Sequence, residues 1–74
     1  MQTYKNLSGT SGVIAYEFGQ DYIDVEFEDR VYRYNYAIPG RQMVETMKTL
    51  AASGEGLATF INQKVRENYA AKLR

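Results

Sequence analysis

The chain has 74 residues, nine of them basic and nine acidic, with no cysteine and no histidine. A domain this small buries only about 60% of the surface its unfolded form exposes, which leaves little room for a deep catalytic cleft. The missing residue types remove disulfides, thiolate chemistry, the commonest metal ligand and the commonest general base, so the sequence predicts a noncatalytic domain with no metal and no cofactor.

Residues 1–11 read as a short flexible lead. Gly9, Ser11 and Gly12 punctuate it, and no periodic apolar pattern precedes Val13. The lead is polar and carries no run suited to a signal peptide. No later stretch approaches the roughly 18 apolar residues of a membrane span, so a cytoplasmic protein with no membrane partner is expected. The folded domain is placed at residues 12–74.

From Val13 to Ala37 the period is two. Ile14, Tyr16 and Phe18 alternate with Val13, Ala15 and Glu17; Ile23, Val25 and Phe27 alternate with Asp24, Glu26 and Glu28; Tyr32, Tyr34 and Tyr36 close the run. With Gln20-Asp21 and Asp29-Arg30 as two-residue loops, Phe27 faces Tyr32, Val25 faces Tyr34 and Ile23 faces Tyr36. The nine apolar residues then share one face, and Glu26 pairs with Arg33 on the other. Neither loop has the Asn-Gly or Asp-Gly pair that secures such a turn. A slip of one residue would bury Arg33 and expose the tyrosines.

Pro39 opens a first helix, whose stripe is Met43, Val44, Met47, Leu50 and Ala51, and "SGEG" ends it. A second helix is expected from about Leu57 to Tyr69 or beyond, with Leu57, Phe60, Ile61, Val65 and Tyr69 inward. The prediction is an α+β domain, a three-stranded antiparallel meander followed by two α-helices packed on one face in two layers (β-β-β-α-α).

The order "SGVIAYEF", "YIDVEF", "VYRYNYAIP", "LAASGEG" and "INQKVRENY" resembles the KTSC domain. That short module is named for its place at the C-terminus of some lysyl-tRNA synthetases and also occurs alone in bacterial and phage proteins. The resemblance spans roughly residues 11–69. Its hallmark Tyr-x-Tyr is Tyr32-Arg33-Tyr34, followed by Ile38-Pro39; Ser53 and Gly56 match the segment between the helices, and Asn62, Val65, Arg66 and Tyr69 match the last helix. Tyr32, Tyr34, Pro39, Ser53 and Gly56 are expected to be structural, the tyrosine rings packed in the core and not a stacking platform. The resemblance implies a binding module, with RNA as the suggested ligand.

Charge divides along the chain. Up to Ala37 there are three basic and six acidic residues, and from Ile38 onward six basic and three acidic. Helical spacing sets Asn62 and Arg66 one turn apart with Tyr69 adjoining, an amide, a guanidinium fork and a phenol able to grip a phosphate or a base. Lys64 falls near the middle of the apolar stripe, so either it extends to the rim or the helix is tilted. Arg66, Asn62, Lys64 and Tyr69, with Arg41, Lys72 and Arg74, are the candidate nucleic-acid contacts. Asn62 holding a loop and Arg66 pairing with Glu67 is the structural alternative. The sheet's reverse face, lined by Glu17, Asp24, Glu26 and Glu28, would repel phosphate. A protein-interaction or self-associating module, using a sheet edge or exposed Val13, Val31 and Tyr22, is the competing function.

Overall fold

The computed structural model describes residues 1–9 and 11–74. Its strands are β1 (Gln2–Thr3), β2 (Val13–Phe18), β3 (Tyr22–Phe27), β4 (Val31–Asn35) and β5 (Ala71–Lys72), and its helices α1 (Arg41–Ser53) and α2 (Leu57–Phe60). The strands form one antiparallel sheet in the order β1-β2-β3-β4-β5. The domain is α+β as expected, but the predicted meander is only its centre: four strands precede the helices and a fifth follows them.

Of residues 1–11, assigned to a lead, Gln2, Thr3, Tyr4 and Leu7 contribute to this fold. Gln2 and Thr3 pair with Tyr16 and Ala15. Tyr4 is buried in the core, and its hydroxyl accepts the Leu57 N–H at 3.3 Å. Leu7 donates its N–H to the Gly54 carbonyl at 2.8 Å. A single tyrosine in a polar stretch makes no periodic pattern, so its burial leaves no trace in the hydropathy.

Between β2 and β3 the expected pairs Tyr16↔Val25 and Phe18↔Ile23 form, but the register shifts between Val13 and Ala15. This bulge inserts one residue and exchanges the faces beyond it. Val13 therefore pairs with Phe27 and is buried, whereas Ile14, expected inside, is 45% exposed. Phe18, at the end of β2, is 46% exposed.

The second hairpin departs by two residues. Phe27 donates its N–H to the Arg30 carbonyl at 2.7 Å, so the turn centres on Glu28 and Asp29, one residue earlier than the expected Asp29-Arg30 loop, and every cross-strand pair moves by two. Val25 consequently faces Tyr32, Ile23 faces Tyr34 and Asp24 faces Arg33. An even shift preserves the two faces. Tyr34 is thus buried as expected, while Arg33 finds Asp24 in place of Glu26. Its Nε and Nη2 donate to the two Asp24 carboxylate oxygens at 2.7 and 2.9 Å. Glu26 instead takes Arg74 at 3.1 Å.

One core joins sheet and helices: Val13, Ile23, Val25 and Tyr34 pack with Val44, Met47, Ala51, Leu57, Ile61 and Val65. Each fully buried side chain of this kind contributes roughly 1.5–3 kcal/mol relative to exposure. The reverse face is less solvated than expected, for Ala15, Asp24 and Val31 are all buried there. Val13 and Val31, expected as exposed interaction residues, are buried, and Tyr22 is half-buried beneath the Arg33 guanidinium at 4.4 Å.

Asn35 shapes the approach to α1. Its side-chain oxygen accepts the N–H groups of Ala37 and Ile38, at 3.0 and 2.9 Å. Gly40 caps α1, so the helix begins two residues after Pro39. At its far end the "SGEG" stop is realised by Gly54 and Gly56, each at φ 84, a left-handed conformation that glycine adopts without steric penalty.

Candidate functional site

Helix α2 does not run on to Tyr69. It ends at Phe60, and the next residues, Ile61–Val65, form a π-helical turn closed by Arg66 N–H donating to the Ile61 carbonyl at 2.5 Å. The turn ends on Arg66 itself, at φ 52 and ψ −119. A non-glycine residue in such a conformation costs on the order of 1–3 kcal/mol, and strain of this kind gathers at functional sites, as do π-helical turns.

The consequence is a cleft of about 410 Å³ between the β3–β4 turn and the π-helical turn. Phe27, Arg30, Tyr32 and Tyr34 line it from the sheet, and Ile61, Asn62, Arg66, Glu67 and Tyr69 from the helical side. The Tyr32 and Tyr69 rings stack at 4.3 Å and 23°, while Phe27 meets Tyr32 edge-on at 6.2 Å. The Arg30 guanidinium lies 5.8 Å from the Phe27 ring centre and 6.0 Å from that of Tyr32. Aromatic walls with guanidinium groups at the rim suit a flat, anionic ligand.

Two polar side chains on the helical wall of the cleft are uncommitted. The side chains of Asn62 and Arg66 form no hydrogen bond or ion pair with another described residue, so the expected alternative of an Arg66–Glu67 pair is absent among them. Arg30 has one partner, Asp29, at 3.5 Å, with both side chains well exposed; an exposed pair of that length adds little stability.

Tyr34 forms the floor. It is 1% exposed, yet its hydroxyl makes no hydrogen bond to another described residue. Among the described residues no fully enclosed side-chain oxygen lacks a partner, so this oxygen must reach the cleft surface. Burial, reinforced by the neighbouring Tyr32 and Tyr69 phenols, pushes its pKa up to about 12, with Arg30 opposing. At neutral pH the hydroxyl is an intact donor and acceptor.

The predicted contacts divide into two groups. Asn62, Arg66 and Tyr69 converge on the cleft. Lys72 pairs with Tyr32 across β4 and β5, which puts both on the same side of the sheet. Lys64 is exposed between buried Ile61 and Val65 but does not line the cleft. Arg74 is held by Glu26 on the reverse face. Arg41 lies toward the opposite end of the sheet, its guanidinium 5.8 Å from the Tyr36 ring.

That opposite end is internally satisfied. The Tyr36 hydroxyl donates to Glu45 at 2.6 Å, and Lys48 pairs with Glu45 at 2.8 Å while donating to the Gln20 carbonyl at 2.9 Å. Of the residues that carry the resemblance and were expected to be structural, Tyr32 and Tyr34 line the cleft. Ser53 donates to the Leu50 carbonyl at 2.9 Å, Gly56 caps α2, and Pro39 lies in the turn before α1.

Phe27 and Arg30 are cleft residues that the sequence does not single out as contacts, because one reads as core and the other as a loop residue. An arginine beside the end of an aromatic-rich strand is the available signal. Among the described residues there is no cluster of metal-ligating side chains and no helix long and apolar enough to cross a membrane. Comparison with protein-family models, with curated proteins and with solved structures gives no match for this chain.

Proposed function

We propose that the chain is a noncatalytic binding module of the KTSC type that engages single-stranded RNA through the aromatic cleft. The observation that carries this reading is the convergence of Asn62, Arg66 and Tyr69 with Tyr32 and Arg30 around one opening. Unpaired bases expose faces that stack on tyrosine and edges that an amide can read, whereas a duplex hides the faces. Guanidinium groups supply the phosphate contacts that give affinity, and the amide and phenols supply contacts to the base.

Arg66 adds support of a different kind. Its backbone conformation suits glycine, so keeping a long cation there has a stability cost that a ligand contact would offset. The exposed Lys72, on the same side as Tyr32, extends the positive margin.

The test is a fluorescence-anisotropy titration of a short single-stranded RNA at two salt concentrations. Two phosphate contacts lower the binding constant about sevenfold between about 50 and about 200 mM salt, from a slope near −0.7 per contact. Absence of binding at tens of micromolar protein, or affinity indifferent to salt, would overturn the reading.

A further inference from the structure

The cleft has a floor as well as a rim, and the floor carries a hydrogen-bonding group distinct from the cations of the rim. Tyr34 is 1% exposed, its hydroxyl has no partner among the described residues, and it lines the same cleft as the stacked Tyr32 and Tyr69 rings. A nearly buried hydroxyl without a fixed protein partner is a ready place for a ligand's polar edge, because a group that leaves it unpaired forfeits a hydrogen bond in a low-dielectric setting.

Size and shape narrow the ligand. About 410 Å³ lies near the small end of ligand pockets, and the Tyr32–Tyr69 separation of 4.3 Å leaves no gap for a ring between them. A flat group therefore stacks against the outside of that pair. The Asn62 side chain, an amide that can donate and accept, stands on the wall, and Arg66 ends the turn that forms the rim.

We infer that the cleft is a single-nucleotide subsite, in which one unpaired base presents its edge to the Tyr34 hydroxyl and the Asn62 amide while Arg66 holds the adjoining phosphate. This deepens the RNA-binding reading and rests on it. It adds that the module discriminates among bases, because a hydroxyl and an amide at fixed positions suit some arrays of donors and acceptors better than others.

The experiment titrates the full chain with each of the four ribonucleoside 5′-monophosphates and with ribose 5-phosphate, reading the amide shifts of Tyr34, Asn62 and Arg66. At least one nucleotide binds about tenfold tighter than ribose 5-phosphate, a ratio that base stacking supplies at about 1–3 kcal/mol. Tyr34→Phe removes a single oxygen. It narrows the spread among the four nucleotides about fivefold, the size of one net hydrogen bond, while the circular dichroism spectrum is unchanged.

If RNA binds but no nucleotide exceeds ribose 5-phosphate, or if Tyr34→Phe leaves the spread unaltered in a folded protein, the subsite is wrong and the RNA reading stands. Nucleotide binding of the expected pattern without any RNA binding supports the subsite and removes the RNA reading. Should Tyr34→Phe fail to fold, Asn62→Ala on the exposed wall gives the same comparison.

Discussion

Tyr32 and Tyr69 stack at 4.3 Å, and this contact fastens the chain's last residues to the sheet. Beyond it, Ala70 and Leu73 donate N–H groups to the Arg33 and Val31 carbonyls, each at 2.7 Å, which continues the sheet through β5. Tyr69→Ala is expected to lower stability by about 1–3 kcal/mol, from the lost ring pair and its burial. Amide exchange at Ala70 and Leu73 should accelerate more than at Ile23 or Val25. Tyr69→Phe keeps the stack and should leave both quantities nearly unchanged.

The Asp24–Arg33 pair predicts an asymmetry. The Asp24 side chain is 3% exposed and that of Arg33 39%. Removing the arginine strands a carboxylate on the covered part of the reverse face, whereas removing the carboxylate leaves a guanidinium that water can reach. Urea unfolding should therefore give about 2–4 kcal/mol lost in Arg33→Ala and about half that in Asp24→Ala. Equal losses would mean that the carboxylate is better solvated than its burial implies.

Arg66→Gly should separate stability from binding. Glycine relieves the strain at φ 52, less the cost of its own greater freedom in the unfolded chain, for a net gain of about 1 kcal/mol. The same change removes a rim cation and should weaken single-stranded RNA binding about tenfold, the loss expected for one charge-assisted contact. Thermal unfolding and RNA titration of the one variant measure both.

Alkaline stability should report on Tyr34. In the unfolded chain its phenol loses a proton near the ordinary value of about 10, while burial raises the value in the fold to about 12. The native state holds the proton more tightly, so this contribution is complete below about pH 10 and is lost as pH rises through 10 toward 12. Its size is on the order of 3 kcal/mol. Tyr34→Phe should flatten that part of the fall in the urea midpoint, and an unchanged slope would count against the burial of the hydroxyl.

The inward face of the sheet was legible because its error was even. The second turn sits one residue earlier than expected, which shifts the pairing by two, and a two-residue shift leaves Tyr34 inside and Arg33 outside. The bulge at Ile14 was not legible, since Val13, Ile14, Ala15 and Tyr16 are all apolar and no alternation there fixes which of them face inward. Tyr4 and β5 escaped for a related reason: two-residue edge strands are too short to establish a period. Asn62, Arg66 and Tyr69 could be grouped from helical spacing, yet the way they meet depends on a π-helical turn ending in a left-handed arginine. Nothing in the local sequence favours that over a continued helix, and the packing of Ile61 and Val65 into the core holds it in place.

The most direct test of the central claim is an amide chemical-shift titration of the whole chain with single-stranded RNA. The account predicts that the largest changes fall at Phe27, Arg30, Tyr32, Asn62, Arg66 and Tyr69, with Gln20, Tyr36, Arg41 and Lys48 at the other end of the sheet barely moving. Shifts centred on that opposite end, or on the reverse face around Asp24 and Arg33, would contradict it.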